Sequence, residues 1–390
     1  MGVDALSPII TLLRVVFVNR YFHPDHSATS QMASDLAFHL ARRGWEVAAI
    51  TSRQLYDDAR ANLRPSTEDG VRIERVWSTR FGRAGLIGRA LDYATFYVNA
   101  FFAMRRHRGA TIVAMTDPPL LSVVAALASK NVVNWIQDLF PEVAQALGIR
   151  APRVLRALRD WSLRRAKTNV VLGDWMAKRV PRATVIHNWA AVEDRQSCLS
   201  GQVRMPCLSG QAGLPVLHSF VVGYSGNLGR AHDVDTIVAA IRMLPEVTFV
   251  FTGGGAKLDV IRSMNAPNVE IRPYVSRERL GESLSSADVH LVSLLPQLEG
   301  LIVPSKFYGV LAVARPVIFV GARDGELARI IDESSCGIVV ESAEELARAI
   351  RYLAENREEA EAMGNRGRAL YLARFAPEHA FAAWERVLEQ

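Results

Sequence analysis

The stretch Val221-Val-Gly-Tyr-Ser-Gly-Asn-Leu-Gly-Arg230 decides the fold of the second half of the chain. It begins as an apolar strand, runs into a glycine-rich turn, and is followed by apolar residues at helical spacing over Val234–Met243. Phe249-Val-Phe-Thr-Gly-Gly-Gly-Ala-Lys257 repeats this order of strand, glycines and helix. Strands that alternate with helices predict parallel β-α-β units. Glycines let a ligand approach the backbone closely, so two such turns in one domain predict a phosphate-bearing nucleotide ligand.

The first half of the chain has the same alternation. Arg14–Asn19 predicts a buried strand, and Thr29–Arg43 predicts a helix that Gly44 ends. Further strands and helices alternate as far as His187. Open parallel sheets bind ligands at the carboxyl ends of their strands. We therefore predict an α/β protein in which two Rossmann-like domains face each other across a cleft.

The domain boundary is expected in a stretch without periodicity. The length of 390 residues is more than one hydrophobic core usually organises. Residues 190–219 show neither a helical nor a strand period, and CLSGQ occurs twice within them, at Cys198 and at Cys207. We predict a first domain over residues 1–195, a linker over 196–219 and a second domain over 220–390. The last helix is expected to cross back to the first domain.

Composition indicates a globular protein of a reducing compartment. Hydrophobic residues make up 49% of the chain, and no apolar run reaches the roughly 20 residues that a membrane-spanning helix needs. The three cysteines show neither metal-ligand spacing nor a disulfide framework, which favours the cytosol. The net charge is +6, and between Ser78 and Gly109 six arginines stand against the single acid Asp92. This asymmetry indicates either that the first half faces something anionic, for which a nucleic acid and an acidic membrane are the candidates, or that its charges form an ordinary solvated surface.

The loop Asn19–Ser30, after the first strand, argues against binding of NAD or FAD. A dinucleotide-binding fold places a G-x-G-x-x-G sequence here, and there is no glycine between Arg14 and Arg43. Small and hydroxyl residues before a helix can instead present backbone N–H groups to an anion or a sugar. They can also serve only as a cap, at Ser27 or Thr29.

The stretch Leu298–Gly309 carries charges suited to a sugar nucleotide. Glu299 can bind ribose or sugar hydroxyls, and Lys306 can neutralise phosphate, as can Arg230 in the first glycine-rich turn. The alternative is that Glu299 and Lys306 are exposed surface charges.

Four motifs together resemble the glycosyltransferases of family 4, which have the GT-B fold, and specifically their branch for cell-surface polysaccharides. The motifs are Asn19–Thr29 (NxYFxPDxxAT), Trp135–Glu142 (W-x-Q-D-[LW]-x-P-E), Tyr224–Arg230 (YSGNLGR) and Gly300–Gly309 (GLxxPSKxYG). The resemblance extends from Arg14 to the end of the chain. It implies that the second domain binds a nucleotide-sugar donor, that the first binds the acceptor, and that anomeric configuration is retained.

The resemblance and the residue chemistry together give an expected site. The residues expected at the donor are Ser225, Gly226, Asn227, Gly229, Gly254, Lys257, Glu299, Gly300 and Ser305. The residues expected in catalysis are Arg230, Lys306, Asp138 and His23, and those expected at the acceptor are Ser27, Ala28 and Thr29. The acceptor is expected to be a glycan or a lipid-linked sugar. We expect no cofactor and no nucleic-acid partner.

A metal ion is also not expected. Asp233-Val-Asp235 matches a metal-binding sequence of the other major glycosyltransferase fold, but here it opens a helix, where aspartates act as caps. His23 and His26 have no further ligands beside them in the sequence.

Departures from the family pattern leave part of the site open. An arginine and a lysine of the wider family fall here on Asn227 and His232, and Arg230 lies between them. The PSK sequence replaces a usual pair of glutamates, and a histidine of the first domain has its place near Asp117. The residue that activates the acceptor is therefore open.

The alternative functions are a GT-B sugar-nucleotide epimerase, whose carboxylates and histidines we do not find, and a non-catalytic sugar-nucleotide or glycan-binding protein.

The stretch Leu86–Met104 predicts a long amphipathic helix with arginines near both ends. Its apolar residues are Leu86, Ile87, Leu91, Tyr93, Phe96, Tyr97, Val98, Phe101, Phe102 and Met104. Such a helix can lie at the headgroup boundary of an anionic membrane, or it can cover the sheet of the first domain. The first alternative predicts peripheral attachment to the cytoplasmic face of a membrane.

Overall fold

The computed structural model describes residues 13–82, 85–190 and 220–390. The linker predicted over 196–219 and both CLSGQ segments lie outside these residues.

The first domain is a β-sheet with helices on both faces. Its strands are β1 Arg14–Val18, β2 Glu46–Ser52, β3 Ser66–Glu68, β4 Val71–Val76, β5 Thr111–Ala114, β6 Val132–Trp135, β7 Thr168–Val171 and β8 Ala183–Val185. They lie in the order β3-β4-β2-β1-β5-β6-β7-β8, and all pairs are parallel except that of β3 with β4. Its helices are α1 Ala28–Arg42, α2 Leu86–Arg106, α3 Leu121–Ala128, α4 Glu142–Ala146, α5 Arg153–Arg165 and α6 Asp174–Ala177.

The central strand β1 shows why the sheet needs two helical layers. Val15 and Phe17 pack in the core on the α1 face, whereas Val16 and Val18 pack in the core against α2 and α3. Successive strand side chains point to opposite faces, so a strand covered on both sides is apolar throughout.

The second domain is a fully parallel sheet. Its strands are β9 Val221–Asn227, β10 Thr248–Gly254, β11 Val269–Arg272, β12 Val289–Ser293, β13 Val317–Val320 and β14 Gly337–Val340, in the order β11-β10-β9-β12-β13-β14. Its helices are α7 Val234–Met243, α8 Leu258–Ser263, α9 Arg277–Ser285, α10 Lys306–Ala312, α11 Glu326–Ser334, α12 Ala343–Glu355 and α13 Arg357–Leu370. A 3-10 turn spans Pro296–Leu298, and a π-helical segment, Tyr371–Phe375, leads to the last helix, α14 Pro377–Leu388.

Helix α14 packs on the first domain. Trp384 is fully buried, and its ring centroid lies 4.7 Å from that of Trp135 at the end of β6. Glu385 accepts from Nε2 of His39 in α1 at 2.9 Å. The chain therefore connects the two domains a second time through its last helix.

The predicted fold class is confirmed: two parallel α/β domains are present. The predicted first helix lies one residue earlier, at Ala28–Arg42, and Gly44 follows it with a φ of 87°. Among the described helices, none is both long enough and apolar enough to cross a membrane.

Candidate active site

A cleft of about 1650 Å³ lies between the two domains. The first domain lines it with residues that follow β1, β5 and β6, and the second domain lines it with residues at the end of β9. At one end the domains touch, where the backbone N–H of Leu139 donates to the carbonyl of Leu301 at 3.0 Å. Both sheets therefore turn the carboxyl ends of central strands toward the same space, as expected for a ligand site in this architecture.

On the second domain, two segments of the expected donor site meet in the cleft. Ser225, Gly226 and Asn227 end β9, and Lys306 begins α10 directly after its N-cap residue Ser305. A Cβ atom on Gly226 would lie 3.1 Å from Cε of Lys306, and Gly226 has a φ of 107°. A glycine is therefore needed here both for the turn and for the lysine side chain that crosses it.

Lys306 and His232 form a contact that the sequence did not reveal. Nζ of Lys306 donates to the carbonyl of Asn227 at 3.1 Å and lies 3.4 Å from Nε2 of His232. Nδ1 of His232 donates to the carbonyl of Ser293 at 2.7 Å, which leaves Nε2 as the acceptor for the lysine. The family resemblance described under Sequence analysis predicts that His232 stands where the wider family has a lysine.

Burial lowers the pKa of both side chains in this pair. Desolvation, together with the charge of Lys306, lowers the pKa of His232 to about 4, so its ring is neutral at physiological pH. Desolvation also lowers the pKa of Lys306 to about 8. Within the described residues, no carboxylate forms an ion pair with Lys306. A desolvated ammonium group without a counter-charge suits an anionic ligand such as a phosphate.

The other glycines of the second domain pack the two turns against each other. Gly255 has a φ of 120°, and a Cβ atom there would lie 2.4 Å from Oδ1 of Asn227. Leu228 donates its backbone N–H to the carbonyl of Gly254 at 2.7 Å. The glycine turn at the end of β10 thus packs against the turn at the end of β9 and is hydrogen-bonded to it.

Six of the expected donor or catalytic residues are described outside the lining of the cleft. They are Gly229, Arg230, Gly254, Lys257, Glu299 and Gly300. Arg230 is exposed and makes no hydrogen bond or ion pair with the described part of the chain. Its role in phosphate binding stays a prediction. Lys306, unlike Arg230, lines the cleft.

Glu299 lies at a contact between the domains. Its Oε2 accepts from the backbone N–H of Glu326 at 3.2 Å, and Glu326 in turn accepts from the backbone N–H of Trp175 at 2.8 Å. Oε1 of Glu299 is buried and has no hydrogen-bond partner among the described residues. Desolvation and the nearby carboxylates, Glu326 first, raise the pKa of Glu299 to about 7. This carboxylate is thus placed to respond to pH at the contact between the domains.

On the first domain, every expected acceptor or catalytic residue lines the cleft: His23, Ser27, Ala28, Thr29 and Asp138. Asp25 holds this loop, because its carboxylate accepts from the backbone N–H groups of Ser27 at 2.8 Å and of Tyr56 at 2.5 Å. Ser27 is the N-cap residue of α1 by position, but its hydroxyl makes no capping bond. The small residues therefore leave room at the cleft, while the aspartate orders the backbone.

A second pair of residues that the sequence did not reveal bridges the cleft. Arg277 of α9 donates to both carboxylate oxygens of Asp35 in α1, at 2.7 and 2.9 Å. Nε1 of Trp189 also donates to Asp35, at 3.0 Å. Both ends of the ion pair line the cleft. No local pattern marks either residue, because the pair forms only when the two domains come together.

Comparison with known protein families assigns both halves of the chain. Residues 27–189 match the family described as glycosyl transferase 4-like domain, and residues 231–386 match the family described as glycosyl transferase-like. The chain belongs to the family 4 type of GT-B glycosyltransferases. The two matches fall on the two domains of the structure, so each half of this glycosyltransferase is recognised separately.

Individual proteins are similar to this glycosyltransferase over most of its length. WbjE of Pseudomonas aeruginosa, described as a probable glycosyltransferase, is 29% identical over 64% of this chain and 67% of its own. WcaI of Escherichia coli strain K12, described as a glycosyl transferase of colanic acid biosynthesis, is 22% identical over 87% of this chain and 91% of its own. The crystal structure of HepE from Anabaena in complex with UDP and glucose superposes with a TM-score of 0.68 at 16% identity, covering 97% of this chain and 100% of HepE. The last similarity shows a shared fold.

Proposed function

We propose that this protein transfers a hexose-type sugar from a nucleoside-diphosphate donor to a hydroxyl of a glycan or lipid-linked acceptor in surface polysaccharide assembly. The observation that carries the proposal is the desolvated Lys306 ammonium, which lies in the cleft beside the glycine turn of β9 and has no carboxylate partner among the described residues. HepE, which shares the fold, was crystallised with UDP and glucose, and WcaI is described in colanic acid biosynthesis. Both support the donor and the pathway class.

The proposed reaction places charge on the departing diphosphate. Lys306 would stabilise that charge, and the backbone around Gly226 would approach the phosphates closely. The cation is fixed before the reaction by the carbonyl of Asn227 and the ring of His232, so little reorganisation is needed. Retention of anomeric configuration follows from the family resemblance and is part of the proposal.

We propose that no divalent metal takes part. Both carboxylate oxygens of Asp233 are engaged with Thr236: Oδ1 accepts from its backbone N–H at 3.1 Å and Oδ2 from its hydroxyl at 2.7 Å. Asp233 therefore serves as the cap of α7. In the described part of the chain, no group of three or more histidine, cysteine or acidic side chains is arranged to hold a metal.

The proposal extends to the cytoplasmic face of an anionic membrane. Helix α2 buries Phe96 and Met104 in the core of the first domain, so its inner face covers the sheet. Its outer face leaves Ile87 80%, Val98 56% and Phe102 60% exposed. The same helix therefore both covers the sheet and presents an apolar stripe to its surroundings.

The neighbouring helices continue this stripe. Helix α3 packs against both α2 and α5. The exposed apolar side chains of α3 and α5 are Leu127, Val154, Ala157 and Leu158, and the exposed cations of α2 and α5 are Arg105, Arg106, Arg153, Arg156, Arg164 and Arg165. We call the outer sides of these three helices the basic-apolar face. Apolar side chains among arginines fit an anionic bilayer, where each basic residue contributes about 1 kcal/mol.

Ligand-induced shifts in melting temperature across UDP- and GDP-sugars test the donor assignment. A specific shift with one donor class is expected. Recovery of an epimerised donor from the same samples would favour the epimerase, and a shift without any release of nucleoside diphosphate in the presence of candidate acceptors would favour a binding protein. No shift with any donor would remove the basis of the proposal.

A further inference from the structure

The ion pair between Asp35 and Arg277 joins two helices that carry opposite sides of the expected site. Asp35 belongs to α1, whose first turn contains the expected acceptor residue Thr29. Ser34, the residue before Asp35, accepts from the backbone N–H of His23 at 3.1 Å. The position of α1 therefore sets the position of the loop that lines the first domain's side of the cleft.

Arg277 is connected to the donor side through helix packing. It is the first residue of α9, and α9 packs against α10. Leu284 of α9 is buried, and a Cβ atom on Gly309 of α10 would lie 3.3 Å from its Cδ1. Lys306 is the first residue of α10. The pair thus connects the loop of one domain with the helix that bears the cleft lysine of the other.

Trp189 fixes the Asp35 carboxylate from within the first domain. Its Nε1 donates to Oδ2 of Asp35 at 3.0 Å. The indole is buried, and its ring centroid lies 5.1 Å from that of Phe381 in α14. An acceptor that packed neighbours already orient loses little conformational freedom when it binds its partner. Asp35 is therefore oriented for Arg277 by its own domain.

The exposure of the pair suits a contact that can break and form again. The side chains of Arg277 and Asp35 are 33% and 15% exposed. Two parallel N–H···O bonds make the pair stronger and more directional than an ordinary surface ion pair. A fully buried pair would instead leave an uncompensated charge when broken. If the domains separate, Arg277 gains water and Asp35 keeps the bond from Trp189.

We propose that Asp35 and Arg277 form a clasp between the domains that positions the acceptor loop of the first domain against the donor site of the second. The inference rests on the proposed function. With the clasp formed, the two sides of the cleft are held together for transfer. With the clasp broken, the cleft opens for exchange of donor and product. Both are positioning residues, because they act through the loop and the helix that they hold.

The clasp is tested on the ligand-free protein by small-angle X-ray scattering. Asp35→Asn keeps an acceptor for Trp189 but loses the charge, and Arg277→Gln removes the guanidinium. Each variant should have a larger radius of gyration than the parent. The double variant should open no further than the single ones, because all three break the same contact. Glu246→Gln, at an exposed ion pair with Arg351 within the second domain, is the matched control and should equal the parent.

Far-UV circular dichroism distinguishes opening of the cleft from unfolding. Arg277→Gln, at the partly exposed start of α9, decides alone if Asp35→Asn does not fold. An unchanged radius of gyration in folded Arg277→Gln would overturn the proposal. A double variant that opens further than both single variants would also overturn it, since the two residues would then act independently.

The positioning role is measured by separating donor binding from transfer. The proposed donor site belongs to the second domain, so the dissociation constants of UDP and GDP should stay close to those of the parent in Arg277→Gln and Asp35→Asn. Acceptor-dependent transfer should fall by about fivefold or more in each, without a further fall in the double variant. Glu246→Gln should transfer sugar as the parent does.

Unchanged transfer in variants that scattering shows to be open would overturn the positioning role. If the parent itself transfers no sugar, the proposed function is contradicted instead. The scattering experiment would then still decide whether the clasp holds the domains together.

Discussion

Nζ of Lys306 lies 3.4 Å from Nε2 of His232, and the two side chains belong to different segments of the second domain. The imidazole is fixed as an acceptor by its other nitrogen, which donates to the carbonyl of Ser293. A neutral histidine in this position orients the lysine without cancelling its charge. The pair thus supplies one positive charge beside the glycine turn that ends β9.

This arrangement predicts that diphosphate binding weakens at alkaline pH. Lys306 is charged below its pKa of about 8 and loses its proton above it. Binding of UDP or GDP should therefore fall as the pH rises through 8. In Lys306→Arg the guanidinium remains charged, so this decline should disappear. Calorimetric titrations with both nucleotides across this range make the comparison, and an equal decline in the arginine variant would assign the titration to another group.

Lys306 and Arg230 are expected to differ in their effect on donor binding. Lys306→Ala removes a charge-assisted contact in the cleft worth about 1.5–3 kcal/mol, which corresponds to roughly tenfold or greater loss of nucleotide affinity. Arg230 is exposed outside the cleft lining, so Arg230→Ala should cost less. Side-by-side nucleotide titrations decide the matter. If Arg230→Ala weakens nucleotide binding as much as Lys306→Ala does, the guanidinium group of Arg230 is a second positive charge that binds the diphosphate.

Glu299 should make stability depend on pH. Its folded pKa of about 7 lies above the ordinary value of 4.5, so its stabilising contribution is complete below pH 4.5 and is lost as the pH rises through 7. Glu299→Gln cannot ionise, and its melting temperature should fall less than that of the parent on going from acid to alkaline pH. Glu333→Gln, at an exposed ion pair with Arg329, is the control. Parallel melting curves for Glu299→Gln and the parent would show that the carboxylate does not titrate at this contact.

The basic-apolar face should bind anionic vesicles. We expect co-sedimentation with vesicles that contain phosphatidylglycerol, less binding at high salt, and little with phosphatidylcholine alone. Val98→Ser with Phe102→Ser, or Arg105→Glu with Arg106→Glu, should weaken it. Leu372→Ser, at an exposed apolar residue before α14, is the control. The membrane assignment would be contradicted if the protein did not bind anionic vesicles at low salt. It would also be contradicted if size-exclusion chromatography showed a dimer that the same substitutions dissociate.

The fold could be predicted from the sequence because its signals are local. The apolar strand, glycine turn and helix around Val221–Met243 each follow from neighbouring residues. The pair formed by Asp35 and Arg277 could not be predicted, since its partners are far apart in sequence and meet only across the cleft. Glu299 was expected at the donor from its residue type, whereas its position depends on how the loop after β12 packs against α6 and α11. The roles of individual charges therefore depend on the packing of the domains more than on their motifs.

The most direct test of the account measures sugar transfer itself. Purified protein is incubated with UDP- and GDP-sugars and with candidate glycan or lipid-linked acceptors, in the presence and absence of EDTA. Release of nucleoside diphosphate and formation of glycosylated acceptor are followed together. The account predicts acceptor-dependent release from one donor class, unchanged by EDTA and strongly reduced in Lys306→Ala. Transfer that requires a divalent metal, or that proceeds equally well in Lys306→Ala, would contradict the proposed donor site.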